Sequence, residues 1–330
     1  MLIIQNHHTN PYFNLAAEEY LLKNFDDDIF TLWRNDNAII VGKHQNALAE
    51  INLDFVQQNN VKVVRRLSGG GTVFHDMGNL NFTFITNAKA NEDIKIDFKY
   101  FTIPIIEALK QLDINAEFSG RNDLLIEGQK FSGNAEHIYH QKKRTLHHGT
   151  LLFASQIVDL SAALKVNPLK FLDKAVKSVR SRVTNISTHL KKEITVIEFY
   201  NLVINYIANK YENVKFYEYS ASDIEAINHL VETKYNTWEW NFGYSPKYAF
   251  QKIIKTDGGN IEIHLQVEKG IIENAKFYGD FFNINDIEEI ENALKLCRHS
   301  QETIGEKLAQ FDIGQCFNNI SIKELIDGMF

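Results

Sequence analysis

Residues 65–82 read RRLSGGGTVFHDMGNLNF. Glycine loses more conformational freedom on ordering than any other residue. Three in succession must therefore be offset by something only glycine permits, positive φ or close approach of the backbone to a ligand. A tight turn needs only one or two. Three of them behind Arg65-Arg66 suit a concavity that offers backbone N–H groups to an anion. The flanks are extended. VKVVRRL (61–67) reads as a strand that leads into the glycines. LNFTFIT (80–86) alternates apolar and polar residues, the pattern of a strand with one buried face.

The common nucleotide motifs do not account for the glycines. A P-loop requires Gly-x4-Gly-Lys-Ser/Thr, and the chain contains none. A dinucleotide fingerprint starting at Gly69 would need glycine where Phe74 stands. There is no HExxH helix, and His137, His140, His147 and His148 lack the spacing of a tetrahedral zinc site.

A second polar cluster lies further on, in GRNDLLIEGQKFSGNA (120–135). It reads as a hairpin turning at Glu127-Gly128-Gln129. Asp123 and Lys130 stand on opposite arms and are placed to meet across the pair. The bland alternative is a surface ion pair worth about 0–1 kcal/mol. Ser132 and Gly133 leave room beside the lysine. Lysine, carboxylate and the Asn122 amide together suit a Mg²⁺-nucleotide, with lysine for phosphate charge and oxygens for metal.

Working outward, NLAAEEYLLKNF (14–25) has helical spacing behind Asn14, a candidate N-cap. IFTLWRNDNAIIVG (29–42) reads as two short strands around Asn35-Asp36-Asn37, and 52–60 as a short helix. Helices are expected over 98–112, 194–211 and 221–235, and a strand over 147–153. Near WEWNFGYSPKY (238–248) the pattern changes to a strand pair and a helix around 287–297. Strands and helices mix without regular βαβ alternation, which favours α+β with a mixed or antiparallel sheet. The expected division is a large domain over 1–247 and a small α+β domain over 248–330.

The 330 residues exceed what one core usually serves. Hydrophobic residues at 44% and charged residues at 23% exclude a disordered chain. A net charge of −7 argues against a general nucleic-acid binder. No leader peptide or membrane-spanning run is expected. Two cysteines, Cys297 and Cys316, fit a reducing cytoplasm and no disulfide framework.

Five stretches in register, RRLSGGGTVFHDMGNLNFTF, GRNDLLIEGQKFSGNA, HHGTLLF, SVRSRVTNIS and WEWNFGYSP, resemble lipoate–protein ligases. The resemblance runs to about residue 250, and the remainder resembles that family's C-terminal accessory domain. It implies the α+β fold of the biotin/lipoate ligase superfamily, with a mixed-sheet catalytic domain. It implies that (R)-lipoate and Mg²⁺·ATP give lipoyl-adenylate, and that a lysine of an apo lipoyl domain then takes the acyl group. The carriers implied are 2-oxoacid dehydrogenase E2 subunits and the glycine-cleavage H protein. By the same resemblance Lys130 is the catalytic lysine, and Arg66, Gly71, Thr72, Val73 and Phe74 contact the nucleotide. Ser68 falls near the lipoyl carboxylate, and Asn122 and Asp123 near phosphate and Mg²⁺, with Asp123 as the metal-side residue. The resemblance also implies that the loop 178–185 closes over the adenylate. Where some members carry an arginine seven residues after the lysine, near the lipoyl carboxylate, this chain has His137, which bears on affinity or acyl preference and not on the reaction.

Trp33, Val73, Phe84 and Leu151 are candidates for the slot that takes the aliphatic tail. The basic run 140–144 is a candidate contact for an acidic carrier. A cytoplasmic monomer without nucleic-acid or membrane partners is expected. The rival reading is an octanoyl- or lipoyltransferase that uses an acylated carrier without ATP. That chemistry passes through a cysteine thioester, and residues 1–296 contain no cysteine.

Overall fold

A computed structural model describes residues 1–88, 96–120, 122–156, 163–164, 183–256, 259–279, 285–317 and 320–330. The chain divides into two compact units, Met1–Lys43 with Glu50–Thr237, and His44–Ala49 with Trp238–Phe330.

In the first unit, eight described strands form one mixed sheet. They are β1 (Leu2–Gln5), β2 (Ile29–Trp33), β6 (Asn79–Asn87), β7 (Ala116–Ser119), β8 (Asp123–Ile126), β9 (Gln129–Tyr139), β10 (Arg144–Leu152) and β11 (Lys215–Tyr217). Their order is β11-β1-β2-β6-β10-β9-β8-β7. The β11-β1-β2 pairs are parallel and the rest antiparallel. Strands β3 (Ala38–Val41), β4 (Lys62–Arg65) and β5 (Val73–His75) form a separate sheet in the order β4-β3-β5. So β2 and β3, adjacent in sequence, are not a hairpin. The Asn35-Asp36-Asn37 stretch carries the chain from one sheet to the other.

The two faces of the large sheet are covered differently. On one, Phe30, Leu32, Leu80, Phe82, Phe84 and Leu151 pack against helices α2 (Phe98–Lys110) and α3 (Val196–Lys210). Thr195 and Glu198 start α3 with reciprocal capping bonds. On the other face lies α1 (Pro11–Asn24), whose Leu21 and Leu22 pack on Ile4, Ile29, Ile85 and Leu146. Asn10, not Asn14, caps α1, with Pro11 at the first helical position. Asn14 is a buried helical residue whose amide donates to His8 O and Arg34 O.

At the other end of α1, Leu21 O accepts from Phe25 N at 3.3 Å, and the carbonyls beyond it run out of helical donors. The fully buried Arg144 of β10 brings donors to this end. Its Nη1 donates to Leu21 O and Leu22 O at 3.0 Å each, and its guanidinium also reaches Phe25 O and Asp27 O. Lys142 pairs with Asp26 at 2.8 Å. The basic run 140–144 is therefore not a uniform surface patch, because Arg144 serves the helix.

The β8–β9 hairpin turns at Glu127 (φ 51°) and Gly128 (φ 76°), the two left-handed residues of a type I′ turn. The strand β6 differs from the expectation of one buried face. Asn79 through Ile85 are buried on both sides.

The second unit has its own antiparallel sheet, β12 (Tyr248–Thr256), β13 (Gly259–Glu268) and β14 (Ile271–Gly279), in that order. Helices α4 (Ala221–Leu230), in the first unit, and α5 (Glu288–Leu294), α6 (Gln301–Leu308) and α7 (Ile322–Gly328), in the second, complete the numbered elements. Cys297, Cys316 and Phe317 pack with Ile263 and Leu265 in the second core. Trp238 lies over Gly270 (φ 73°), where a Cβ would sit 2.4 Å from the indole. Among the described residues no helix is long and apolar enough to cross a membrane.

Candidate active site

A cavity of about 180 Å³ lies in the first unit. The glycine loop gives one wall, with Arg66, Gly70, Gly71, Thr72 and Val73. Asn122, Lys130, Gly133, Asn134 and Ala135 of the β8–β9 region give another. His148, Gly149 and Thr150 of β10, Asn81 of β6, and Leu15, Trp33, Ile40 and His75 complete it.

Strand alternation decides which residues reach it. In β6, Leu80, Phe82 and Phe84 face α2 and α3, so Asn81 and Thr83 face α1 and the cavity side. Of the candidates for the aliphatic slot, Trp33 and Val73 line the cavity. Phe84 and Leu151 belong to the opposite core, which corrects their assignment.

The glycine loop is wound around Arg66. Arg66 Nη2 donates to Gly69 O at 2.7 Å and Gly71 O at 2.8 Å, and Nε to Ser68 Oγ at 3.0 Å. Nη1 donates to Ile40 O at 3.3 Å. Gly70 has φ 89°, and a Cβ there would sit 3.0 Å from Arg66 Nη2. A Cβ on Gly69 or Gly71 would meet no atom within 4 Å. Only the middle glycine is demanded by the loop's own conformation. The outer two leave backbone open to an approaching ligand. Burial pushes the Arg66 guanidinium down to about 10, against the opposing pull of Glu18. Arg65 does not reach the cavity. It is fully buried and donates to Gly42 O and Lys43 O.

Behind Arg66 runs a buried chain whose direction is fixed by its ends. Arg66 Nε is a donor only, so Ser68 Oγ accepts from it and turns its proton to His148 Nε2, 2.6 Å away. His148 then donates through Nδ1 to Glu18, 3.0 Å from both oxygens. From the other side Trp33 Nε1 donates to Thr83 Oγ1 at 2.9 Å, and Thr83 donates to Glu18 Oε1 at 2.6 Å. Donors from the loop, β10, β6 and β2 thus converge on one carboxylate of α1.

A second chain of amides reaches His75. Asn6 Nδ2 donates to Asn14 Oδ1 at 3.0 Å, and Asn14 Nδ2 to Asn35 Oδ1 at 2.9 Å. That leaves Asn35 Nδ2 as donor to His75 Nδ1, 3.1 Å away. The proton of His75 is then on Nε2, a buried atom with no partner among the described residues, on a ring that lines the cavity. Burial, with Arg66 and His148 nearby, pushes His75 down to about 3. It is a neutral donor at physiological pH.

Lys130 Nζ is 2.7 Å from Asp123 Oδ1, across the hairpin, and both side chains are about 40% exposed at 41% and 37%. A Cβ on Gly133 would lie 3.2 Å from Lys130 Nζ, so that glycine keeps the lysine's space clear. Lys130 O accepts from Thr184 N at 2.9 Å. Of the loop 178–185, residues 178–182 lie outside the described residues. His137 is pushed down to about 4 by burial, with Lys43 beside it.

Arg66, Gly71, Thr72, Val73, Asn122 and Lys130 therefore meet around one cavity. Ser68 stands behind His148, Phe74 packs edge-on against Phe55, and Asp123 adjoins through Lys130. Among the described residues no three His, Cys, Asp or Glu side chains converge as metal ligands. Sequence reasoning missed Glu18. The available signal for Glu18 was a helix, LAAEEYLL, whose two glutamates interrupt an otherwise apolar surface.

Comparison with known proteins agrees over the whole chain. The lipoyl protein ligase A/B catalytic domain matches residues 10–208, and the bacterial lipoate protein ligase C-terminus matches residues 245–329. Lipoate–protein ligase 1 of Staphylococcus aureus is 43% identical over 326 residues, covering 98% of each chain. Lipoate-protein ligase LplJ of Bacillus subtilis is 42% identical over 332 residues, 99% of each. A chain of the bi-partite lipoate protein ligase and E2 lipoyl domain system of Thermoplasma acidophilum superposes with TM-score 0.65 at 29% identity, over 75% of this chain and 97% of that one. A putative lipoate protein ligase of the same organism with bound lipoic acid gives 0.61 at 25%, over 73% and 98%. A lipoate-protein ligase A bound with ATP gives 0.63 at 26%, over 74% and 98%.

Proposed function

The chain belongs to the lipoate–protein ligase family, and from that premise we propose that it activates lipoate with ATP and passes the lipoyl group to a lysine of apo lipoyl domains. The observation that carries this reading is the placement of Lys130, held 2.7 Å from Asp123, in the same cavity as the glycine loop. The chemistry explains why both are wanted. The acid's carboxylate oxygen attacks the α-phosphorus of ATP, and pyrophosphate leaves. A carrier lysine amine then attacks the acyl carbon, and AMP leaves.

The first step brings two anions together, which requires fixed cations and N–H donors. Lys130 serves the developing charge between carboxylate and α-phosphate. Gly69 and Gly71 let backbone approach the nucleotide, along the Thr72–Phe74 stretch. Arg66 acts mainly by shaping this loop, since its five donor contacts among the described residues are all to loop or strand oxygens. The neutral His75 Nε2–H supplies one more donor inside the cavity.

The donor set fits Mg²⁺ in the usual nucleotide manner, with one carboxylate and the substrate's phosphates. Asp123 is half-exposed and engages Lys130 through Oδ1, and it is the residue that would hold the ion. The ion supplies charge neutralisation on the leaving pyrophosphate. The carriers are E2 lipoyl domains and H protein. The supporting comparison is the Thermoplasma system, which pairs a lipoate protein ligase with its E2 lipoyl domain.

A thioester route is disfavoured. The first unit contains no cysteine. Cys297 and Cys316 are buried, and burial pushes both thiols up, away from the thiolate. The test is lipoate-dependent ATP–pyrophosphate exchange in the wild type and Lys130→Ala. Exchange should require lipoate and fall at least about 10³-fold in the variant, with unchanged circular dichroism. Near wild-type exchange in Lys130→Ala would remove the lysine from its role. Absent exchange in the wild type, with transfer from an acylated carrier, would favour the ATP-independent reading.

A further inference from the structure

Beneath the cavity, on the α2 side of the sheet, two ionisable groups are sealed from solvent. His147 Nδ1 is 2.9 Å from Glu136 Oε1, with the side chains 0% and 1% exposed. The imidazole stacks on Phe101 and Phe82, at ring separations of 4.8 and 5.7 Å. Neither residue lines the cavity. Their neighbour Asn134 does.

We propose that the Glu136–His147 pair is a positioning device: it fixes the Asn134 amide and, through it, the Asn122–Asp123 corner against which Lys130 is held. This inference rests on the function proposed above. Asn134 Nδ2 donates to Asn122 O at 3.0 Å and to Ser132 Oγ at 3.3 Å, so Asn134 Oδ1 is the atom that faces His147 Nε2, at 3.3 Å. Asn122 is fastened to Asn134 twice more. Asn134 N donates to Asn122 O at 3.0 Å, and Asn122 Nδ2 donates to Asn134 O at 2.6 Å. Gly149 belongs to the same arrangement. A Cβ there would stand 2.1 Å from Asn134 Oδ1 and 2.5 Å from the Phe82 ring. Glycine at this position is what lets the amide oxygen reach the imidazole.

The hydrogen bonds fix the protons. Asn134 Oδ1 can only accept, so His147 carries its proton on Nε2. A neutral imidazole then has a bare Nδ1, and Glu136 must bring the hydrogen between them. Burial favours this state. It holds His147 well below its ordinary value and pushes Glu136 up to about 7. The titratable groups facing the pair are Asp97, whose backbone N–H donates to Glu136 Oε2 at 3.1 Å, and His148, the next residue on β10. From β6 and α2 the pair meets the rings of Phe82, Phe98 and Phe101.

The sign of the pH effect follows. Below about 7 the Glu136 proton is present, and Nε2–H points to Asn134. As pH rises through that value the proton leaves. An unpaired buried carboxylate is costly, so His147 moves its single proton to Nδ1. Nε2 then turns a lone pair toward Asn134 Oδ1, and two acceptors repel. Activation therefore weakens on the alkaline side.

The experiment is the exchange assay from pH 6 to 9 on wild type, Glu136→Gln and His147→Phe. Glutamine can donate to Nδ1, accept from Asp97 N–H, and cannot ionise. Its kcat should equal wild type at pH 6.5 and stay flat where wild type falls about tenfold, the worth of one buried hydrogen bond. Phenylalanine keeps the stacking and loses the donor. Its kcat should be about tenfold lower at every pH, with KM for lipoate and ATP within about twofold. Superimposable profiles for Glu136→Gln and wild type, or wild-type kcat in a folded His147→Phe, would overturn the proposal. The ¹⁵N imidazole spectrum of wild-type His147 decides independently of turnover. It should show the Nε2–H tautomer at pH 6 and Nδ1–H above pH 8; Nδ1–H at pH 6 overturns the proposal. A wild type with this switch but no exchange would break the proposed function and leave the pair intact.

Discussion

Strand β6 sends Leu80, Phe82 and Phe84 to one side of the sheet and Asn79, Asn81 and Thr83 to the other, and all six are buried. The two sides are held by different physics. On the α2–α3 side the contribution is area removed from water, which is non-directional and tolerant of detail. On the α1 side each donor needs an acceptor at a particular place, because an unpaired buried polar group costs about 1–3 kcal/mol. The apolar residues that β6 sends to the first side should respond to mutation mainly through stability. The polar residues that it sends to the second, with their partners, should respond through geometry, and so through activity.

Three substitutions test that division. The largest effect is expected from Phe84→Ala, which empties a core position 2% exposed. It should cost about 3–5 kcal/mol in urea unfolding, while KM values in the surviving folded enzyme stay within about twofold. A cost under about 1 kcal/mol would remove the contrast between the faces.

Glu18→Ala comes next. It strands His148 Nδ1–H and the Thr83 hydroxyl, and should cost about 1–3 kcal/mol. Its exchange rate should fall by more than that loss of stability explains, about 10–100-fold in folded protein, because Ser68 and the glycine loop lose their anchor. Equal rates in folded variant and wild type would show that the chain of bonds serves stability alone.

The smallest effect on stability is expected from Gly71→Ala. The new methyl meets nothing within 4 Å, so unfolding should shift by less than about 0.5 kcal/mol. KM for ATP should nevertheless rise several-fold, since the methyl stands where backbone opens to the ligand. Unchanged KM would mean that the nucleotide does not approach this glycine.

The same contrast explains what could be read in advance. Local chemistry was legible. Glu127-Gly128 turned the hairpin, and Lys130 met Asp123 across it, because both follow from turn type and strand pairing. The α+β class followed from the irregular mixture of elements. Polar alternation in LNFTFIT was harder. A period of two says which residues share a face, but not whether water or a helix covers it. Asn81 and Thr83 therefore looked solvent-facing. Long-range partners had no local mark. Glu18 meets His148 across 130 positions, and Asn14 resembled a cap until the structure placed it in an amide chain. Phe84 and Leu151 stand beside Trp33 and Val73 as slot candidates in the sequence because hydrophobicity does not tell the two faces apart.

Helix α1 is held at both ends by side chains from elsewhere in the first unit. Asn14 ties its first turn to His8 O and Arg34 O, and Arg144 grips Leu21 O and Leu22 O in its last. Glu18 lies one turn from each anchor. At about 1.5 Å rise and 100° rotation per residue, the helix acts as an indexed ruler. Its length in residues, as much as its composition, sets where the carboxylate is delivered. Adding one residue between Asn14 and Glu18 would keep every side chain and still swing Glu18 off the imidazole. This segment should therefore be intolerant of length change over evolution, even at positions where substitution is free.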